Sequence, residues 1–265
     1  MLVLVHGGLW DEPMDAAAFW ERPGVVDGLR AAGVAVAAPD RAMRAGSWAA
    51  EAAHLAARLP DGPPVVLVGG SNGCSAAVRL ALAVPDRVRA LVLAWPATAG
   101  DERLDGRIRE ALPEAAGLLA GGTLRGVADA ELAGLRLPVA VLPAAPENPV
   151  HQRRTVDALL GLVPGAVELP GCPEPPHPAF RPEPLVAALA GWAAWADGPG
   201  ATRGPGNGGP GAAAGSPPVR AGASGSVPTA RSGADASMGS GHQQLGLAVP
   251  RAPDCASPGG GLTSS

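Results

Sequence analysis

The pentapeptide Gly69-Gly70-Ser71-Asn72-Gly73 constrains this chain more than any other feature. It stands between an apolar run, Val65 to Val68, and a helical pattern from Ser75 to Val84. A strand with no polar face is buried on both sides, as in a parallel sheet. A strand-to-helix turn this tight puts its central serine in a strained backbone conformation. The residues two before and two after crowd the turn and must be small; here they are Gly69 and Gly73. The strain holds the hydroxyl clear of the backbone, and the helix N-terminus beneath it favours developing negative charge. Ser71 is therefore a candidate nucleophile in a G-x-S-x-G elbow. The plainer reading is a glycine-rich turn whose serine caps a helix. A phosphate loop is disfavoured, because neither G-x-x-x-x-G-K-[ST] nor G-x-G-x-x-G occurs at this turn.

Around this turn, apolar runs of strand length alternate with longer helical patterns. Strands are expected at Leu2 to Val5, Val34 to Ala38, Val65 to Val68, Val88 to Ala94, Val139 to Leu142 and Ala166 to Leu169. Between them, Ala16 to Ala32 reads as a helix broken at Pro23-Gly24. Ser47 is an N-cap for a helix running to Leu59, where Pro60 and Gly62 stop it. Further helices are expected from about Gln152 to Leu162 and from Glu183 to Trp195. Strict alternation predicts an α/β three-layer sandwich, with a mostly parallel sheet of about six strands covered by helices on both faces. Residues 98–136 interrupt the alternation as an Ala/Leu-rich helical insertion that could cap the sheet. One folded domain is expected over 1–197.

Residues 198–265 are Gly, Ala, Pro and Ser with scattered Arg. They hold too few large apolar side chains to offset ordering entropy, so a disordered low-complexity tail is expected. The formal net charge is -4 and there is no basic face, so nucleic acid is not an expected partner. Cys74, Cys172 and Cys255 are far apart and odd in number, which predicts neither a disulfide scaffold nor a metal site. The apolar start, Met1 to Val5, lacks the basic region and length of a signal peptide. No run approaches the ~20 apolar residues of a membrane helix. A cytoplasmic protein that does not engage a membrane is the expectation.

Val5-His6-Gly7-Gly8-Leu9 at the end of the first strand, together with the elbow, resembles the α/β-hydrolase superfamily. Ala38-Pro39-Asp40-Arg41 and Pro85-Asp86-Arg87-Val88-Arg89-Ala90-Leu91-Val92-Leu93 resemble its later strand passages. The likeness covers about Met1 to Trp195 and begins at what is usually the third strand of that fold. It implies an oxyanion hole built from the N–H of Gly8 or Leu9 and that of Asn72. His6 then buttresses its loop, and Asp40 is structural. It also implies a catalytic histidine just before the last helix, where His177 is the histidine available. The acid is implied in the loop after the fifth strand, Pro143-Ala144-Ala145-Pro146-Glu147-Asn148-Pro149-Val150-His151. This looks like an Asp-Pro-Val-His loop with Asn148 in the place of Asp. Glu147 is taken as the acid, with Asp101 or Glu102 as alternatives, and His151 as a helix-start residue. Ser71, Glu147, His177 then follow the order nucleophile, acid, histidine. Trp10 and Trp95 are candidate pocket residues, although aromatics so placed are more often core.

The function expected is a hydrolase of a small ester, thioester or lactone that works through an acyl-enzyme, without metal or other cofactor. Its partner would be a small-molecule substrate with an apolar acyl part. The missing Asp motivates an alternative from another class, a non-catalytic relative that binds a small molecule or a protein. A third reading keeps the fold and changes the chemistry, to a cofactor-independent haloperoxidase-like or lyase reaction.

Overall fold

The computed structural model describes residues 1–8, 14–43, 45–111 and 113–198. All of them belong to the first of two units into which the chain divides, Met1–Ser216; the second, Pro217–Ser265, lies outside the described residues. The tail expected from Gly198 onward therefore has only its first residue described.

The strands are β1 (Leu2–Val5), β2 (Val36–Ala37), β3 (Val65–Gly70), β4 (Val88–Ala94), β5 (Val139–Leu142) and β6 (Val167–Glu168). They form one sheet in the order β2-β1-β3-β4-β5-β6, and each neighbouring pair is parallel. The all-apolar strands feed both faces. Val3, Val5, Val65, Leu67, Leu91, Leu93, Val139 and Val141 point into one core. Leu2, Leu4, Val66, Val68, Ala90, Val92, Ala140 and Leu142 point into the other. This period-two division is why β1, β3 and β5 have no polar side.

Helices α2 (Trp48–Ala56), α3 (Gly73–Ala83) and α6 (Arg153–Leu162) cover the first face. A π-helical turn (Ala17–Glu21), α1 (Val25–Ala31) and α7 (Pro182–Asp197) cover the second. Three layers follow, as the alternation predicts. The Ala16 to Ala32 segment is two pieces: Gly24 takes φ 84° between the π turn and α1, a conformation that favours glycine. Ser47 caps α2 by accepting the Ala50 N–H at 3.1 Å.

Residues 98–136 contain α4 (Glu102–Ala111), a 3-10 turn (Pro113–Leu118) and α5 (Asp129–Ala133). Their Ile108, Leu118, Leu124, Val127 and Leu132 join the core beside α2, α3 and α6. A buried Arg125–Asp105 pair at 2.8 Å ties the insertion together. Arg79 of α3 holds Glu131 of α5 at 2.8 Å. Leu119 and Leu135 of the insertion are packed in the same core.

The chain runs from β1 to β2 on one side and then returns to place β3 on the other. Loops leaving β1 and β3 diverge, which leaves a crevice at the carboxyl ends of these strands. His6 to Gly8 and Ser71 sit there.

Candidate active site

Ser71 takes φ 54°, the left-handed region that L-residues with side chains rarely adopt. Such a residue costs about 1–3 kcal/mol and persists only where its surroundings enforce it. Here the Ser71 N–H donates to Ala94 O at 2.9 Å, and its carbonyl accepts from Cys74 N at 3.0 Å. The glycines beside it are required by space. A Cβ on Gly69 would stand 2.6 Å from Cys74 Cα, and one on Gly73 would collide with the carbonyl oxygens of Val5 and His6. Ser71 is half-buried, and Asn72 forms the N-cap of α3. N–H groups in the first turn of a helix have no partner within it, so the Asn72 amide sits at a positive helix end beside the hydroxyl.

The loop after β1 is held from below. Arg41, 7% exposed, donates from Nη1 to the carbonyls of His6, Gly7 and Gly8 at 3.3, 3.4 and 3.5 Å. Its Nε pairs with the fully buried Glu51. Asn72 Nδ2 adds a contact to Gly8 O at 3.4 Å. A trans peptide points its N–H away from its C=O, so the N–H groups of Gly7 and Gly8 point away from Arg41. Leu9 and Trp10 lie outside the described residues.

His6 is buried and buttresses this loop. Its Nε2 accepts the Arg41 N–H at 3.0 Å and its Nδ1 pairs with Gly7 O at 2.8 Å. That pattern fixes the neutral ring with its proton on Nδ1. Burial pushes the pKa of His6 below the usual 6.5, and the Arg41 charge adds to this. In the unfolded chain the ring binds a proton near 6.5, whereas in the folded chain it resists until lower pH. The stability that His6 contributes is therefore complete above that value and is lost as pH falls through it. The thermal midpoint should drop more steeply in wild type than in His6→Gln between about pH 7.5 and about pH 5.5. Parallel curves would contradict this.

The imidazole at Ser71 is that of His151. Its Nε2 lies 2.8 Å from Ser71 Oγ, and its Nδ1 lies 2.6 Å from Glu174 Oε2. The second oxygen of Glu174 accepts Asn148 Nδ2 at 2.5 Å. The His151 side chain is 8% exposed and that of Glu174 is 17% exposed, so the relay is largely sheltered.

Local sequence explains why these groups meet. Asn148 Oδ1 accepts the backbone N–H groups of Val150 (2.9 Å) and His151 (3.0 Å), folding Asn148 to His151 into a tight turn. Thr98, buried after β4, donates its N–H to Val150 O at 2.7 Å and accepts the Gln152 N–H on Oγ1 at 3.0 Å. The acid arrives from the loop after β6. Ala144 and Cys172 continue the pairing of β5 with β6 beyond the strands, through Ala145 N to Cys172 O at 3.1 Å. Trp95 fixes the same carbonyl with its indole N–H at 3.0 Å.

Several sequence expectations need correction. His177 is exposed, its Nδ1 accepts the Ala179 N–H at 3.1 Å, and its place beside Ser71 is taken by His151. His177 lies in the proline-rich run from Pro173 to Pro178. Glu147 accepts the Arg153 N–H at 2.7 Å, at the start of α6, and the carboxylate on the imidazole is Glu174. Asp101 caps α4 through Arg103 N and Leu104 N, which lowers its pKa, and Glu102 pairs with Arg109. Trp95 is 0% exposed, in an aromatic cluster with Trp20 (6.2 Å between centroids) and Phe180 (6.4 Å), so it is core. Cys74 is wholly buried, and burial pushes the Cys172 thiol up to about 11, so neither is a competing thiolate. Among the described residues, no helix is long and apolar enough to cross a membrane, and no cluster of His, Cys, Asp or Glu could hold a metal ion.

No known family profile and no curated protein matches the chain in sequence. Solved structures do match its fold. A putative non-heme bromoperoxidase, BpoC, from Mycobacterium tuberculosis H37Rv is 17% identical; the match covers 74% of this chain and 92% of that one, with a TM-score of 0.59. Est816, described as an N-acyl homoserine lactone degrading enzyme, is 16% identical over 72% of this chain and 92% of its own, with a TM-score of 0.54. An extracellular α/β-hydrolase from a Paenibacillus species is 17% identical over 71% of this chain and 98% of its own, with a TM-score of 0.51. The chain has the α/β-hydrolase fold.

Proposed function

We propose that this protein is a metal-independent serine hydrolase that cleaves a small ester, thioester or lactone through an acyl-enzyme, with Ser71, His151 and Glu174 as its triad. The observation that carries this reading is the continuous relay from Ser71 Oγ to His151 Nε2 (2.8 Å) and from His151 Nδ1 to Glu174 (2.6 Å). A nucleophile within hydrogen-bond reach of a base, which a third group orients, is the arrangement that acyl transfer needs.

Ser71 Oγ bonds to the substrate carbonyl carbon while its proton passes to His151 Nε2. The carbonyl electron pair moves onto oxygen, which the N–H groups of Gly8 and Asn72 receive. Each such donor contributes about 3 kcal/mol to the transition state. Glu174 stabilises the imidazolium. When the C=O re-forms, the bond to the leaving oxygen or sulfur breaks, and that atom takes the proton from His151. Water then repeats the sequence, giving up its proton to His151, and the acid and free Ser71 are released. A lactone follows the same course, its leaving oxygen staying attached to the acyl chain.

The order along the chain is nucleophile, histidine, acid. Each of the two late loops carries the group that the resemblance implies for the other. Wild type should hydrolyse p-nitrophenyl butyrate and be labelled on Ser71 by a fluorophosphonate. Ser71→Ala should do neither. A folded wild type that takes no label would favour the binding-module reading. A labelled one that turns over no ester would favour the third.

A further inference from the structure

A cavity of about 420 Å³ opens beside this site, with Met14, Phe19, Arg22, Pro175, His177 and Phe180 in its wall. That volume suits a small-molecule group. The wall continues into both halves of the site. Phe19 Cε2 and Ser71 Cβ lie 2.6 and 2.8 Å from where a Cβ on Gly7 would stand, so the ring edge and the nucleophile flank one glycine. Met14 packs in the same way against Gly8. Pro175 directly follows Glu174, whose carbonyl accepts the His177 N–H at 2.8 Å.

The charge of this cavity is one-sided. Among the described residues, Arg22 and His177 are its polar side chains and no Asp or Glu lines it. Among the described residues no carboxylate pairs with Arg22. A guanidinium is donor-only. His177 already uses Nδ1 as an acceptor, so the proton of its neutral ring sits on Nε2, a second donor. Alanine, proline, phenylalanine and methionine form the rest of the described wall, so the described residues offer apolar surface with two donors and no free side-chain acceptor.

We propose that this cavity is the acyl-chain subsite of Ser71 and selects a substrate whose partly apolar acyl chain carries a carboxylate, which Arg22 binds. This rests on the reading of Ser71 as the nucleophile. One charge-assisted contact of this kind is expected to change selectivity about tenfold, and added salt should weaken it.

The test has two arms. In the first, kcat/KM is measured for mono-p-nitrophenyl glutarate and p-nitrophenyl butyrate. Wild type should favour the glutarate ester about tenfold. Arg22→Gln should erase that ratio, mainly through KM, and Arg22→Lys should keep part of it. A wild-type ratio of one or less, or a ratio that Arg22→Gln leaves intact, overturns the subsite while leaving the hydrolase standing. In the second arm, Ser71→Ala protein is titrated calorimetrically with 4-phenylbutyrate and 4-phenylbutanol. Tighter binding of the acid, lost on adding Arg22→Gln, supports the subsite even if no ester is turned over. Equal binding of acid and alcohol overturns it, whatever the turnover.

Discussion

Glu174→Gln should lower kcat by about 10³- to 10⁴-fold, and adding Asn148→Asp should return a large part of the loss. Removing the charge from Glu174 leaves His151 without its counter-ion and weakens the preference for the tautomer that presents Nε2 to Ser71. The rescue follows from position. Asn148 Nδ2 already lies 3.4 Å from His151 Nδ1, so a carboxylate there stands against the imidazole. The double variant would then carry its acid in the loop after β5. Its recovery should be at least about tenfold over Glu174→Gln alone. Glu147→Gln is the control, because that side chain holds the start of α6 and bonds to neither Ser71 nor His151. It should leave turnover intact and cost below about 1 kcal/mol of stability. Steady-state kinetics on the four proteins, with thermal unfolding of each, measures all of this. Loss of turnover in Glu147→Gln with retention in Glu174→Gln would reverse the assignment.

Arg41→Ala should be among the most damaging single changes in the chain. It strands Glu51, which is 0% exposed, without its ion-pair partner, and that typically costs about 3–5 kcal/mol. The same change releases the carbonyls of His6, Gly7 and Gly8 from a shared donor. The loop N–H groups opposite those carbonyls then lose their preorganisation, so kcat should fall at least about tenfold with little change in KM. Replacing both partners, as Arg41→Met with Glu51→Leu, should restore most of the stability, because neither charge is left buried alone. It should not restore kcat, because the carbonyls still lack their donor. Chemical denaturation and kinetics on the single and double variants separate the two roles. Recovery of kcat in the double variant would show that Arg41 acts on stability alone.

The sheet was legible because its signal is local. Unbroken apolar runs such as Val65 to Val68 have few other ways to be buried, and the glycines around Ser71 answer a collision that any Cβ would cause. Elements set by long-range pairing were less legible. Gly69 and Gly70 extend β3 because Leu93 and Ala94 pair with them, and nothing in a Gly-Gly sequence announces that. The late half of the site was misread for the same reason. Which of two polar loops delivers the imidazole depends on how Ala144 pairs with Cys172 and how Thr98 grips Val150, and both are contacts between distant segments. One signal was present. Asn148 cannot supply a charge, yet His151 follows it three residues later, and Glu174 occupies the loop where a histidine is implied. Read together, those positions put a histidine and a carboxylate each in the loop implied for the other.

If Ser71, His151 and Glu174 act together, Glu174 and no other carboxylate holds the proton on His151 Nδ1. Proton NMR of the imidazole N–H region, on protein labelled with nitrogen-15 in its histidines, tests it most directly. The expected spectrum has a strongly downfield N–H that belongs to His151, persists in Glu147→Gln, and vanishes or moves far upfield in Glu174→Gln. A downfield signal that survives Glu174→Gln unshifted, or that belongs to His177, would contradict it.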